Sequence, residues 1–201
     1  MITLALDTST TRGSVALLDD DALLLDETFS ADRSHSATLF AVLEKARALT
    51  SRIDQIAVGL GPGSFAGVRI AIAAAIGLEL STGAKLVGIP SVAALDVPAP
   101  AYLAIGDARR ETFYFTRVER GVCLEGPLLA TEAELAARLR SGAGRAVFTT
   151  AEVAQFPGTP IALPSAVALA RLAAEGRGIF ARDDLEPIYL REPHITLPKP
   201  K

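Results

Sequence analysis

The sequence predicts an α/β protein of two lobes, each a mixed sheet flanked by helices, with the second lobe reduced. The first hundred residues read as three strands, then helix, strand, helix and strand. A proline-rich stretch at 97–100 interrupts the chain, and a second, shorter set of elements follows. We therefore expect a first lobe at 1–97, a second lobe at 101–191 and a tail at 192–201. With 201 residues, half of them hydrophobic, the chain can bury a core of this size.

Composition narrows the class of protein. The net charge of −3 argues against unaided nucleic-acid binding, which needs a concentrated basic face. No basic segment precedes the first apolar strand, so a secretory signal is not expected. The longest apolar run, Ile70–Leu78, is about half the length that spans a bilayer. A single cysteine, Cys123, excludes an internal disulfide. We expect a cytoplasmic protein with no membrane contact.

The first lobe is predicted from a change of hydrophobic period along the chain. Alternating apolar residues, with turns at Gly13 and 19–21, predict a three-stranded antiparallel meander. A helical stripe follows, then apolar strands short enough to be buried on both faces. Ser64 is placed to cap the second long helix. The predicted strands are 2–7, 14–19, 23–29, 53–59 and 85–89, and the predicted helices are 36–50, 64–82 and 91–95.

The second lobe begins with two strands that pair around the charged turn 107–111. Thr131 and Glu134 form a capping-box pattern that opens a helix to Arg140. The remaining predicted elements are a strand at 146–149, a helix at 165–175 that could pack back on the first lobe, and an extended segment at 185–191. Rossmann-type sheets alternate strand and helix from the start, whereas three strands before the first helix suit a ribonuclease-H-like lobe, of the kind paired in actin-like ATPases.

A glycine loop joins the fourth strand to the second long helix. Its sequence, Gly61-Pro62-Gly63-Ser64, places backbone N–H groups at a helix N-terminus, which favours an anion. No lysine stands in the loop, so it is not a Walker A motif. The dinucleotide pattern G-x-G-x-x-A is formally present, but no acidic residue ends the next strand. Two interpretations remain: a tight turn without a ligand, or a vestigial or partner-completed phosphate loop.

The end of the first strand carries the second candidate for phosphate binding. Asp7-Thr8-Ser9 has the form of the first phosphate loop of actin-like ATPases, in which a carboxylate holds hydrated magnesium and hydroxyls meet phosphate. A capped turn explains the same residues. The candidate phosphate-binding residues are Asp7, Thr8, Ser9, Gly61, Gly63 and Ser64.

The helix at 64–82 is apolar in nearly every direction. Between 65 and 80 only Arg69 and Glu79 are charged. A helix that is apolar all round must be covered all round, either within the monomer or, as we favour, by another subunit. The candidate interface residues on the two long helices are Leu39, Val42, Leu43, Val68, Arg69, Ile72, Ala73, Ile76 and Leu80.

The sequence contains little that supports a metal-binding site or a catalytic nucleophile. The two histidines, His35 and His194, are far apart, and Leu39 stands four residues after His35, where a metal-binding pair would have its second histidine. No G-x-S-x-G elbow occurs, and Cys123 has no nearby histidine. We predict no bound metal and no catalytic residue. The charged turn 107–111 is interpreted as a solvated hairpin tip.

Five short motifs, in this order along the chain, resemble those of the TsaB (YeaZ) family, the small subunit of bacterial tRNA threonylcarbamoyladenosine synthesis. The most specific is GLGPGSFAGVRI at 59–70. The other four are LALDTS at 4–9, RSHS at 33–36, DARRE at 107–111 and PIYLR at 187–191. The likeness is good over 1–95 and patchier over 101–160. The chain is also shorter than is usual for the family.

The resemblance implies two actin-like lobes and a heterodimer with TsaD, the related subunit that transfers the threonylcarbamoyl group to adenosine 37 of tRNA. An ATPase, TsaE, joins them, and tRNA is met only through the complex. The helices near 36–50 and 64–82 would pack on TsaD, or on a second copy when TsaD is absent. The resemblance thus implies a non-catalytic scaffold that activates TsaD and has no cofactor of its own. It is compatible with ATP or ADP bound at the junction between this chain and TsaD. The alternatives are an actin-like ATP-dependent enzyme (a kinase or acyl transferase) and, from older family naming, a metallopeptidase (glycoprotease).

Overall fold

Two mixed sheets, one in each lobe, form the framework of the molecule. The computed structural model describes residues 1–30, 35–177 and 185–191, and only the backbone of His35 and Ser36. Several predictions concern residues beyond these: the tail 192–201, His194, and the RSHS motif apart from the backbone of its last two residues. The elements of the first lobe are β1 Ile2–Asp7, β2 Arg12–Asp19, β3 Ala22–Ser30, α1 His35–Leu49, β4 Gln55–Gly59, α2 Phe65–Thr82 and β5 Lys85–Ile89, followed by a 3₁₀ turn at Ser91–Ala94.

The first sheet has the strand order β3-β2-β1-β4-β5. β1 pairs with β2 in antiparallel and with β4 in parallel fashion, so the predicted meander is confirmed. Successive side chains of a strand point to opposite faces. Leu4 and Leu6 of β1 accordingly pack beneath α1 and α2, while Ala5 faces the opposite layer. Because the central strands are covered on both faces, their residues are buried throughout.

Helix α2 begins and ends at well-formed caps. The Ser64 hydroxyl accepts a hydrogen bond from the Gly67 N–H (3.2 Å), as predicted for an N-cap. Gly83 ends the helix with a left-handed φ of 69°, which glycine adopts without strain. By length and composition alone α2 could cross a membrane, yet a third of it is buried inside the protein. Its inner face packs on the sheet, as the core helix of a globular domain does.

The second lobe contains β6 Ala101–Asp107, β7 Thr112–Glu119, β8 Val122–Thr131, α3 Glu132–Ser141 and β9 Ala146–Thr149, and α4 Ala166–Ala174 follows. Its sheet has the order β8-β7-β6-β9, with one strand fewer than the first. The predicted capping box is present, since the Glu134 N–H donates to the Thr131 hydroxyl and the Thr131 N–H to the Glu134 carboxylate. Helix α4 packs on the first sheet, where its Leu169 and Ala170 contact the cluster that contains Ala5.

Strand β8 is the element that the sequence did not predict. Gly126 and Pro127 stand in its middle, and both residues normally argue against a strand. β8 is an edge strand, and its pairing with β7 is irregular beside these two residues. An edge strand tolerates such an irregularity because only one of its sides needs hydrogen bonds.

Candidate functional site

A cleft of about 780 Å³ lies between the two lobes. The first lobe contributes the loop after β1 and the start of α2. The second contributes the β6–β7 hairpin and the loop after β9, and the segment 187–191 lines the remaining side. Three of the six candidate phosphate-binding residues line this cleft: Ser9, Gly63 and Ser64. Asp7, Thr8 and Gly61 lie behind them, buried in the protein.

The two predicted phosphate loops do meet, and they bond to each other. The Ser64 N–H donates to the Ser9 carbonyl (2.6 Å), and the Thr8 hydroxyl donates to the Gly67 carbonyl (2.7 Å). A Cβ atom at Gly63 would collide with the Ser9 carbonyl, and one at Gly67 with the Thr8 carbonyl. These glycines are therefore explained by close packing of two backbones, with no ligand required between them.

Asp7 is buried, with 1% of its surface exposed. Its Oδ1 accepts hydrogen bonds from the Ser9 N–H (2.8 Å) and the Ser9 hydroxyl (2.6 Å). Its Oδ2 makes no well-formed hydrogen bond with any described residue, although the Ser91 hydroxyl lies beside it. Burial raises the pKa of Asp7 above its ordinary value, and the hydrogen bonds from Ser9, together with the nearby Ser91 hydroxyl, oppose that shift. This geometry supports the capped-turn interpretation of Asp7-Thr8-Ser9, because a carboxylate that holds hydrated magnesium has to reach solvent.

The glycine loop is likewise tied to the protein. The Gly61 N–H donates to the Ser91 hydroxyl (2.9 Å), and the Ser91 N–H donates back to the Gly61 carbonyl (2.7 Å). Ser64, the third polar residue of the region, caps α2. The Gly61 N–H and the Ser64 hydroxyl, two groups that a phosphate could use, are thus engaged within the protein.

An aromatic pair stands at the mouth of the cleft. The Phe65 and Tyr189 rings lie 5.3 Å apart between centroids, and the Arg69 guanidinium lies 5.2 Å from the Phe65 centroid. Phe65 is 48% and Tyr189 45% exposed. Both distances are those of favourable aromatic and cation–π contacts. The start of α2 and the PIYLR segment, two motifs far apart in sequence, therefore share one exposed surface.

The DARRE turn forms the opposite rim of the cleft. Its residues Arg109, Arg110 and Glu111 have φ values of 66°, 54° and 59°, a left-handed conformation that side chains disfavour. Arg191 donates to the Arg109 carbonyl (3.2 Å) and to the Thr112 hydroxyl. The Arg109–Asp107 ion pair (3.6 Å) is exposed, so it adds little stability, as expected for a hairpin tip. The hydrogen bonds of Arg191 hold the hairpin tip, and the sequence did not predict this contact.

The interface predicted on the two long helices needs correction. Leu39, Val42, Leu43, Val68 and Ile72 pack in the first lobe's own core, so their assignment to a partner surface is wrong. All five are apolar helix residues, and the sheet beneath the two helices buries the side on which they lie. Arg69, Ala73, Ile76 and Leu80 are exposed, and with Gly77 they form one face of α2, which we call the α2 stripe. Phe40 of α1, 52% exposed, was missed, because its neighbours on that helix face are polar or small.

Burial affects ionisable side chains of the second lobe, among them Tyr114 in the wall of the cleft and Cys123 beside the core. Burial raises the pKa of Tyr114 to about 12, and its hydroxyl lies 3.1 Å from that of Thr150. Burial also raises the pKa of Cys123 to about 11, so this thiol is not an activated nucleophile. Within 1–30, 35–177 and 185–191, no three His, Cys, Asp or Glu residues are grouped to hold a metal ion.

Comparison with known proteins agrees with this architecture. Residues 30–180 match the family described as "TsaD: tRNA N6-adenosine threonylcarbamoyltransferase". The "tRNA threonylcarbamoyladenosine biosynthesis protein TsaB" of Haemophilus influenzae is 28% identical, over 94% of this chain and 92% of its own. The solved structure of YeaZ from Pseudomonas aeruginosa superposes with a TM-score of 0.68 at 26% identity, over 94% of this chain and 99% of that one. The chain belongs to the TsaB (YeaZ) family.

This membership confirms the actin-like, ribonuclease-H-like fold class predicted from the order of elements. It also places the chain among proteins of tRNA threonylcarbamoyladenosine biosynthesis. An uncharacterised Mycobacterium leprae relative is 30% identical over 96% of this chain, which spans only 55% of that longer protein. Three of the family motifs, at 59–70, 107–111 and 187–191, meet around the cleft. Their proximity could not be predicted from the sequence, because they are far apart along the chain.

Proposed function

We propose that this TsaB-family chain is a non-catalytic partner subunit that binds and activates a TsaD-type subunit for threonylcarbamoyl transfer to adenosine 37 of tRNA. The observation that carries the proposal is the α2 stripe. Ile76 is 40% and Leu80 80% exposed, on a helix whose other side is anchored in the core. A contiguous exposed apolar helix face is typical of a protein–protein interface.

Gly77 adds an independent argument. A Cβ atom built on Gly77 meets nothing within 4 Å in the described part of the protein, and the residue lies in the middle of a regular helix. Glycine there costs about 1 kcal/mol relative to alanine. The fold of the monomer gives no reason for that cost. Close approach of a partner helix across the α2 stripe would explain it, because glycine lets two backbones come near each other.

The non-catalytic assignment rests on how the candidate phosphate loops are used. Asp7 is buried, Thr8 bonds to the backbone of α2, and Gly61 is held by Ser91. A chain of this kind acts indirectly, by stabilising the competent conformation of the subunit to which it binds. Its net charge of −3 fits a role in which tRNA is met through the complex and TsaE joins through the same assembly. A cytoplasmic location is part of the same proposal.

The proposal retains one place for a nucleotide. Ser9, Gly63 and Ser64 line the cleft, and Gly63 and Ser64 are exposed. An ATP or ADP molecule bound jointly by this chain and a TsaD-type subunit would contact these residues. In the isolated chain, several polar groups of the two loops are already hydrogen-bonded within the protein. The alternative of an ATP-dependent enzyme is supported by the actin-like fold class and by the size of the cleft, and no described contact favours a metallopeptidase.

The α2 stripe is tested by introducing a negative charge at one of its exposed apolar positions. Leu80→Glu should weaken association with the TsaD-type subunit by at least about tenfold, because an unpaired carboxylate would be buried in an apolar contact. Leu124→Glu is the matched control, since Leu124 is 49% exposed on β8, in the other lobe. Calorimetry measures the association, and threonylcarbamoyladenosine formation in the reconstituted system measures activation.

Two further outcomes complete the test. In the absence of the partner, Leu80→Glu should also dissociate any homodimer in sedimentation experiments, since the same stripe would serve both contacts. Wild-type affinity in Leu80→Glu would refute the interface. Ala74 is unsuitable for such a test: at 5% exposure it faces the core, and a charge there would report on folding.

A further inference from the structure

The segment 185–191 touches both lobes. It lies along the cleft, and three of its residues make contacts that belong to different clusters of the protein. Leu185 and Ile188 pack against the core of the first lobe, and Leu190 packs against the second-lobe cluster that contains Tyr102 and Tyr114. The segment has no strand or helix of its own, so tertiary contacts hold it in place.

The first lobe has a prepared seat for this segment. The Ile188 N–H donates to the Leu60 carbonyl (2.9 Å), immediately before the glycine loop. Leu185 lies over Gly88 of β5, where an added Cβ would stand 2.6 Å from Leu60 Cδ1 and 3.0 Å from Leu185 Cδ2. Glycine at 88 therefore leaves the room that Leu60 and Leu185 fill.

The other end is fixed to the second lobe by Arg191. Its guanidinium donates to the Arg109 carbonyl and the Thr112 hydroxyl, at the hairpin whose three left-handed residues were described above. Left-handed backbone at non-glycine residues persists only where the surroundings hold it. Arg191 supplies part of that hold, so the position of the hairpin depends on the segment.

Tyr189 connects the segment to the α2 stripe. Its ring packs on Phe65, Phe65 packs on Arg69, and Arg69 is the first member of the stripe. A displacement of 185–191 would thus free the Phe65 ring and the Arg69 side chain, at the end of the stripe nearest the cleft.

We infer that residues 185–191 form a strap that fixes the closure of the two lobes, and that Tyr189 is a positioning residue for the cleft end of the partner surface. The occupant of that surface is the TsaD-type subunit, so this second part rests on the proposed function. The first part, lobe closure, concerns the isolated chain and stands apart from any partner.

Lobe closure is tested by the distance between spin labels at Ser51 and Ala143, exposed positions of the first and second lobes, in a Cys123→Ala background. The unmodified strap should give one narrow distance distribution. Arg191→Gln and Tyr189→Ala should each broaden it. Arg177→Gln is the matched control, because Arg177 also holds a backbone carbonyl, that of Arg120, away from the cleft. Unchanged distributions in both strap variants would overturn the strap.

Partner positioning is tested by calorimetry with the TsaD-type subunit. Tyr189→Ala should weaken association by about tenfold at an unchanged melting temperature, and Tyr189→Phe, which keeps the ring pair, should restore it. Wild-type affinity in Tyr189→Ala, with Leu80→Glu still defective, would overturn the positioning role and leave the proposed function intact. Absence of binding by the wild type would refute the proposed function and with it the positioning role, while the distance measurement would still decide lobe closure.

Discussion

At the scale of one residue, Asp7 belongs to a motif that resembles a phosphate loop, but its environment differs from that of a ligand-binding carboxylate. A strand-end aspartate followed by two hydroxyl residues is typical of a phosphate loop, yet here the carboxyl group is inside the protein. A side chain at Gly59 would collide with the Asp7 Oδ2, so the absence of a side chain at this glycine leaves room for the carboxyl group. Sequence located the residue and its local turn, and its burial, seen only in the structure, favours a cap over a ligand-binding group.

Asp7→Asn should stabilise the isolated chain at pH 7 by about 1 kcal/mol, because it replaces a buried carboxylate by a neutral amide, which costs less to bury. The pKa of Asp7 is raised on folding, so the folded chain holds this proton more tightly than the unfolded chain does. Stability that depends on the proton is present at low pH and is lost as pH rises through the folded-state pKa. The gain from Asn should therefore be larger at pH 7 than at pH 4.

Urea unfolding at the two pH values measures this difference, with Asp21→Asn on the exposed β2–β3 turn as the control. A magnesium-binding Asp7 would behave otherwise. In that case the Asn variant would lose magnesium-dependent ligand binding and gain no stability.

At the scale of elements, α2 has one buried face and one exposed face. The inner face, with Val68, Ala71 and Ala75, is buried against the sheet. The outer face is the α2 stripe. The sequence predicted an uncovered apolar helix correctly, but it could not divide the helix into faces, because apolar residues occur in every direction around it. The sheet beneath α2 decides which of them remain available.

Gly77→Ala separates folding from association on this helix. The added methyl group enters open space, so the monomer should gain about 1 kcal/mol from the better helix former. The same group should weaken association with the TsaD-type subunit several-fold, by keeping the two backbones apart. Thermal unfolding and calorimetry give the two effects. A stabilised monomer with undiminished affinity would show that Gly77 does not lie at the contact.

At the scale of the whole molecule, the cleft between the lobes is where the proposed partner subunit and an actin-like enzyme would differ. Enzymes of this fold class would hold magnesium and nucleotide with the groups that Asp7, Thr8 and Gly61 use internally here. The two readings of the molecule therefore differ in one property of the isolated chain.

Calorimetry with ATP and magnesium should show no binding by the isolated chain, and binding should be recovered only after the TsaD-type subunit is added. The Leu80→Glu variant provides the control, because with it the mixture should lose the contribution of the junction. Tight magnesium-dependent binding by the chain alone would favour the ATP-dependent enzyme over the scaffold.

The sequence by itself determined the order and nature of nearly all elements and the five motifs that identify the family. These properties are local: periodicity, caps and turn residues depend on neighbours along the chain. Only the tertiary structure decided that Asp7 is buried, that five predicted interface residues belong to the core, and that 187–191 meets 59–70 and 107–111. These are long-range facts, set by which surfaces pack together, and residues far apart in the sequence carry no local signal of that packing.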